Sequence, residues 1–371
     1  MGQKQPKSIC DFSAAYMLKQ VLNLENDIGN ALGGEDSEAI HRMRVSSRRL
    51  RNSIDLFKDC FSGKKAKAWD DEIRKITRAL GNARDLDIQI KFINQAYEDS
   101  LETTYKPGYR RLLLRLKQSR VKAQEKVNKT LTKLEKKEVF GQMHSYLQGL
   151  IDDNVDASFI DPSLYVVAYQ AINRALDDFL SYQLFIYSSE NADKLHAMRI
   201  AGKHLRYSME AFAPIFDPAL NPYINVMREI QDQLGAFHDN DVWVSWLPKF
   251  IKKEQARIED YFGNTGPLER LLPGSHHLLE DRMDARDAVH QSFLNTWHIL
   301  EGENAWEVLR RILQGFVHDK TAKEDVRISP ETDVHYGNEG ERRDQVEFEV
   351  ELLPDSEEDP QNTTEEKSQG M

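Results

Sequence analysis

Apolar residues return at spacings of three and four along most of the first 320 residues, with breaks at "LGGEDS", "SGKK", "YKPGY", "DDNVDASFIDPS", "YSSENAD", "FDPALNP" and "GNTGPLERLLPGS". That period belongs to amphipathic helices, and the breaks are rich in turn residues. It predicts helices near 12–31, 37–60, 66–100 and 108–148, then near 162–188, 192–215, 222–262 and 276–300, with a last one near 303–319. The expected fold class is all-α. About four helices fall on either side of "DDNVDASFIDPS", a stretch suited to a join between two halves.

The halves resemble each other. At an offset of 155, His41 falls on His196, Arg44 on Arg199, Arg48 on Lys203, Arg49 on His204, Arg51 on Arg206, Asp55 on Glu210 and Phe57 on Phe212. At 154, "RKITRALGNARDLDI" falls on "REIQDQLGAFHDNDV". Fixed periods of self-similarity are the mark of a repeated structural unit, so an internal duplication is expected.

At about 100° per residue, His41, Arg44, Arg48 and Arg51 share one side of their helix. Met43, Leu50, Ile54, Phe57 and Phe61 take another sector. The second copy maps alike, with His196, Arg199, Lys203 and Arg206 against Met198, Leu205, Met209, Phe212 and Phe216. A merely solvated face intersperses Glu and Lys, because like charges at i,i+4 cost about 0.2–0.5 kcal/mol per pair. Here only Asp55 and Glu210 balance the stripe, and the same cations stand at the same places twice. The stripes are therefore read as binding faces.

Net charge sharpens this. The whole chain carries -11, but residues 321–371 hold sixteen acidic and five basic residues, which leaves 45 of each sign in residues 1–320. The folded part is neutral overall, and its basic clusters can produce a strong local field. The tail from 321 has a disordered composition, with one alternating stretch, "VEFEVELL", that can pair as a strand. No run of about 20 apolar residues and no secretory signal is present, so no membrane partner and a cytoplasmic location are expected. The two cysteines, Cys10 and Cys60, lack metal-ligand spacing and are expected to be reduced and structural.

Arg presents a planar fork to phosphate oxygens, Lys adds a point charge, and His donates from both nitrogens when an anion holds it protonated. Repeated each helical turn, at about 5 Å, they form a ladder for an extended polyanion rather than a mononucleotide, for which no Gly-rich phosphate loop exists. Gly81 and Gly235 are expected to let helices approach closely. Arg84 and His238 can complete the phosphate contacts, with Asp85 and Asp239 positioning neighbouring cations. Weaker candidates are Arg120, on a helix with eleven basic residues from Arg110 to Lys137, together with His204, Arg282, Arg286 and His290.

The pattern H-x-x-R-x-x-x-[RK]-x-x-R, an apolar stretch, L-G-x-x-x-D, and then the whole arrangement again resembles the CHAD domain, the conserved histidine α-helical domain, over residues 10–320. The resemblance implies two pseudo-symmetric four-helix bundles, 10–155 and 160–320, whose basic stripes line a central cavity, followed by the acidic segment 321–371. It also implies binding of inorganic polyphosphate without catalysis, cofactor or metal, and association with polyphosphate granules. Carried over, the binding residues are His41, Arg44, Arg48, Arg49 and Arg51, then His196, Arg199, Lys203 and Arg206. His204 stands where Arg is common in the family, and "FHDND" departs from the more usual Arg-Asp wording. Many members carry a CYTH triphosphatase domain. Its ExExK strand is only mimicked by Glu347, Glu349 and Glu351, so a stand-alone member is expected.

Two rival readings are an HD-type metal phosphohydrolase and a nucleic-acid module. The first rests on His238-Asp239, but the repeat puts Arg84 at the matching place, and arginine cannot ligate a metal. The second lacks aromatics on the basic faces for stacking bases. Oligomeric state and polyphosphate chain length are not written in the sequence.

Overall fold

The computed structural model describes residues 7–34, 36–151 and 160–327, and these are helical almost throughout, with no strand among the described residues. The tail beyond 327, including the "VEFEVELL" stretch, lies outside them. The first half comprises α1 (Lys7–Asn26), α2 (Ile28–Gly33), α3 (Ser37–Leu56), α4 (Gly63–Asp99), α5 (Lys106–Lys136) and α6 (Val139–Gln148). The second comprises α7 (Pro162–Leu180), α8 (Ala192–Phe216), α9 (Asn221–Phe262), α10 (Leu272–Gly302) and α11 (Ala305–Arg327).

Most boundaries follow local chemistry. The Asp36 side chain accepts from the backbone of Glu38 at 2.8 Å and Ala39 at 3.0 Å and so starts α3. Asp161 caps α7 in the same way, just before Pro162 at its first position. Five expectations are corrected: the helix near 12–31 is α1 and α2, which part at Asp27, the helix near 162–188 ends at Leu180, and three more differ as follows. The single helix near 108–148 is two, because Glu138 takes a left-handed φ of 50° and turns α6 back onto α1. The helix near 37–60 stops at Leu56, followed by a short 3-10 turn. The last helix runs to Arg327, past its expected end.

Helices pair in the same order in both halves: α3 with α4, α4 with α5, α1 with α3 and α6 with α1; then α8 with α9, α9 with α10, α7 with α8 and α11 with α7. The apolar cores, however, are shared between halves. The larger joins α1, α3, α6, α7, α8 and α11 to the near ends of α4 and α9. At its centre the rings of Phe57 and Phe212, which align at the offset of 155, lie 5.5 Å apart, with Phe12 about 6 Å from both. A second core forms where the far ends of α4 and α9 meet the starts of α5 and α10, around Ile93, Tyr109, Leu116, Trp243, Phe250 and Leu278. Leu86 packs against both cores and marks where α4 passes from one to the other.

At the far end, Gly108 and Gly274 open α5 and α10. A Cβ on Gly108 would lie 2.6 Å from the Leu271 carbonyl, and one on Gly274 would lie 2.2 Å from the Tyr105 carbonyl. Only glycine lets these two backbones touch.

The cysteines are corrected as well. Cys10 of α1 and Cys60 form a disulfide, their Cα atoms 5.3 Å apart. They are fifty residues apart in sequence, and nothing local signals the pairing.

Candidate anion-binding site

The helical wheel sorts α3 and α8 as expected. Met43, Leu50, Ile54, Phe57 and Phe61 are buried, as are Met198, Leu205, Met209, Phe212 and Phe216. The two helices touch along part of their length, and the basic sides flanking that contact open into a cavity of about 580 Å³. Its lining includes Arg48, Arg51, Lys58, Lys67, Arg74, Arg199 and Lys203 against two carboxylates, Asp55 and Asp70, and adds His196, His204, Asn52 and Tyr207. A larger depression of about 1670 Å³ lies by Trp69, Phe140 and Tyr146. There Lys75 and Lys137 both pair with Glu72, and Lys65 lies over the Tyr146 ring, so three of its four lysines already have partners.

In and around the cavity the cations divide by partner. Arg51 and Arg74 both reach Asp70, Arg51 at 2.7 Å. Arg49 and Arg206 converge on the mostly buried Glu210, at 3.0 and 2.7 Å, and Arg206 also donates to Gln231. His204 meets Asn52 across the α3–α8 contact at 3.0 Å. By contrast, no carboxylate among the described residues stands within 4.0 Å of Arg48, Arg199 or Lys203. Arg44 has one, the largely exposed Asp85 at 3.4 Å.

These four cations act on one another. Burial, the Arg48 and Arg199 guanidiniums outweighing Asp85, pushes Arg44 below its ordinary pKa. Arg199 is likewise pushed down by burial, with Asp239 and Arg48 acting in opposite directions. Burial and then Arg199, Arg48 and Arg44 push the Lys203 ammonium down to about 6. The Nε atoms of Arg44 and Arg199 are buried without a hydrogen-bond partner, and each lies against the glycine of its Leu-Gly pair, 3.5 Å from where a Cβ on Gly81 would be and 3.6 Å for Gly235. The neighbours of these glycines are thus guanidinium atoms rather than a closely crossing helix, at a distance that a Cβ would meet as ordinary van der Waals contact.

The stripe histidines and His238 are pushed toward the neutral form. His196 and His238 face each other Nδ1 to Nδ1 at 3.1 Å, an arrangement in which one ring donates and the other accepts. Burial, then the neighbouring cations, lowers His41 and His196, while burial, then His196 and Arg199, takes His238 down to about 4. Asp239 is raised by burial.

The remaining candidates have partners of their own. Arg84 pairs with Glu38 at 3.0 Å beside His41. Arg120 holds Asp87 at 2.5 Å. Arg282 bonds Asn240 and Asp281 and lies over the Phe92 ring, and Arg286 reaches Asp241 and Glu190, each at 3.4 Å. His290 is buried on the Ile186 carbonyl. The structure does not bring these five to the cavity lining, and His41, Arg44, Arg49, Arg206 and His238 also stand outside it. It adds Arg74, Lys58 and Lys67, of which only Arg74 had a visible signal, as the first residue of the second repeated block.

A buried charge elsewhere supplies the contrast. Glu254 is 1% exposed and is met by Arg115 at 2.8 Å, Arg111 at 3.6 Å and Arg257. A buried ion left unmatched costs several kcal/mol, so matching is the rule. The cavity departs from it at Arg48, Arg199 and Lys203, which have open space in front and no carboxylate within 4.0 Å among the described residues.

The family model of the CHAD domain matches residues 15–248. Two solved structures share the fold: the crystal structure of the CHAD domain from the plant Ricinus communis has a TM-score of 0.54 at 20% identity, over 76% of this chain and 91% of that one. PptA from Streptomyces chartreusis has a TM-score of 0.52 at 14% identity, over 78% and 99%. No curated protein sequence matches. With a family match over more than half its length and a fold held in common with a solved member, the chain belongs to the CHAD domain family.

Proposed function

We propose that the protein binds inorganic polyphosphate, without turning it over, in the cavity between α3 and α8. The observation that carries this is the convergence of Arg48, Arg199 and Lys203 from two helices on one space, none with a carboxylate within 4.0 Å among the described residues, with Arg44 outside the lining adding to their field. A linear phosphate polymer supplies many oxygens at short intervals and needs no base or sugar contacts. Arg48 and Arg199 take bidentate oxygen pairs, Lys203 adds a third charge, and His196 and His41 gain protons as the anion arrives. The family resemblance points to the same ligand, and the like order of helix pairing supports a duplicated unit with one stripe per copy. Such binding would place the protein on polyphosphate granules.

The test is a gel-shift titration with size-fractionated polyphosphate, repeated with Arg48→Gln and Arg199→Gln together. Long chains are expected to bind more tightly than tripolyphosphate, with affinity falling steeply with salt as counterions are released. The double substitution is expected to weaken binding at least about 100-fold, at about 1.5–3 kcal/mol for each charged hydrogen-bonding group lost. Unchanged affinity refutes the site. Tighter binding of single-stranded DNA or RNA supports the nucleic-acid reading instead, and phosphate release with divalent ions supports the hydrolase.

A further inference from the structure

Three of the four convergent cations are arginines, which keep their protons throughout the ordinary pH range. Lys203 alone can relieve the repulsion by giving one up. On its own helix it faces Arg199 and His196; α3 brings Arg44 and Arg48, and α9 brings Asp239 and, through His196, His238. Asp239 acts the other way, but no carboxylate among the described residues comes within 4.0 Å of Lys203. With burial included, the ammonium is brought down to about 6, so at neutral pH most molecules carry a free amine there. An amine desolvated next to other cations is an activated nucleophile.

We propose that Lys203 is a site of covalent acylation by small acyl phosphates, which the guanidinium groups of Arg48 and Arg199 capture in the cavity they share with it. The three side chains line the same space, with about 580 Å³ to admit a small reagent. The phosphate group of the reagent takes the guanidinium forks, which leaves its acyl carbon next to the amine. The Nζ lone pair forms the C–N bond, the acyl C–O bond breaks, and that bonding pair leaves on inorganic phosphate. The surplus proton on nitrogen passes to the departing phosphate and on to water. Nothing is oxidised or reduced. The product is an amide that can no longer take up a proton when an anion arrives and that fills part of the cavity, so polyanion binding is weakened. The inference uses the same cavity as the preceding reading but not the identity of its polymer.

The experiment treats the full-length protein with acetyl phosphate from pH 7 to 9 and follows each lysine by peptide mass spectrometry, with the exposed Lys122, Lys129 and Lys252 as internal references. At pH 7, Lys203 is expected to react at least about tenfold faster than these, because an ordinary lysine is almost wholly protonated there. From pH 7 to 9 its rate is expected to change less than about twofold, whereas an ordinary lysine gains about 100-fold in free amine. Tripolyphosphate is expected to slow Lys203 alone. A rate at Lys203 that climbs with pH like the references, or a Lys203 left unmodified while they react, overturns the proposal. So does equal selectivity with an uncharged acylating ester, because it removes the role of the arginines. Acylation of Lys203 in a protein that fails to bind polyphosphate would sink the preceding reading and leave this one standing.

Discussion

Binding of a polyanion to this cavity should draw in a proton. In the free protein Lys203 sits near a pKa of about 6 because burial and three guanidiniums act on it. A phosphate chain against the same groups reverses that field, and a lysine returned to its ordinary environment titrates near about 10.4. Between those two values the complex holds one proton more than the free protein. Affinity is therefore fully expressed below about pH 6 and is lost as pH rises, by about tenfold, or about 1.4 kcal/mol, for each unit up to about 10. From pH 7 to 9 the loss is about 100-fold. The neutral histidines His41, His196 and His238 steepen the same trend toward acid. Calorimetric titration of long-chain polyphosphate at pH 8, in two buffers of different ionisation enthalpy, measures the uptake directly, and close to one proton per site is expected. Firm binding with no proton uptake would refute the reasoning, since Lys203 would then be either charged beforehand or out of the ligand's reach.

The same depressed group acts on folding, with the sign reversed by the reference state. The unfolded chain holds the Lys203 proton up to about pH 10.4 and the folded chain only to about 6, so native stability should rise with pH across that window by up to about 1.4 kcal/mol per unit; thermal melts of Lys203→Met should be higher at pH 7 and flatter with pH. Gly274→Ala should cost about 1–3 kcal/mol in urea unfolding, because its Cβ meets the Tyr105 carbonyl, while a control Gly302→Ala, with open space, should not. Reduction of Cys10–Cys60 should lower stability by about 4 kcal/mol through the fifty-residue separation it spans, and thiol titration of the protein isolated without reductant should find no free thiol. Two free thiols would favour a reducing compartment such as the cytosol, where disulfides are rare.

Helices and cores were largely legible in the sequence, because burial follows the helical period. Met43 and Leu50 could be assigned inward from spacing alone. What escaped depends on contacts distant in the chain. Arg48 and Arg49 are neighbours, yet about 100° apart on the helix one faces the cavity unmatched and the other meets Glu210, 161 residues away. The partner of Arg51 is Asp70, on the next helix. The stripe predicts a charged face, but only three-dimensional packing decides which of its members already have an anion. The bend at Glu138 and the cysteine pairing carried no pattern to read, since neither repeats and each is fixed by where α1 happens to lie.

The glycine contact at one end of the molecule and the paired phenylalanines at the other give the two halves separate anchor points, and the shared apolar packing extends from both. The spacing between opposing charge rows is thus set when the chain folds, before any ligand arrives. A slot of fixed width works as a gauge. On the proposed reading it would grade flexible anions by how densely their charges are strung, and a polymer with wider intervals between charges would leave some of the rungs empty however long it is.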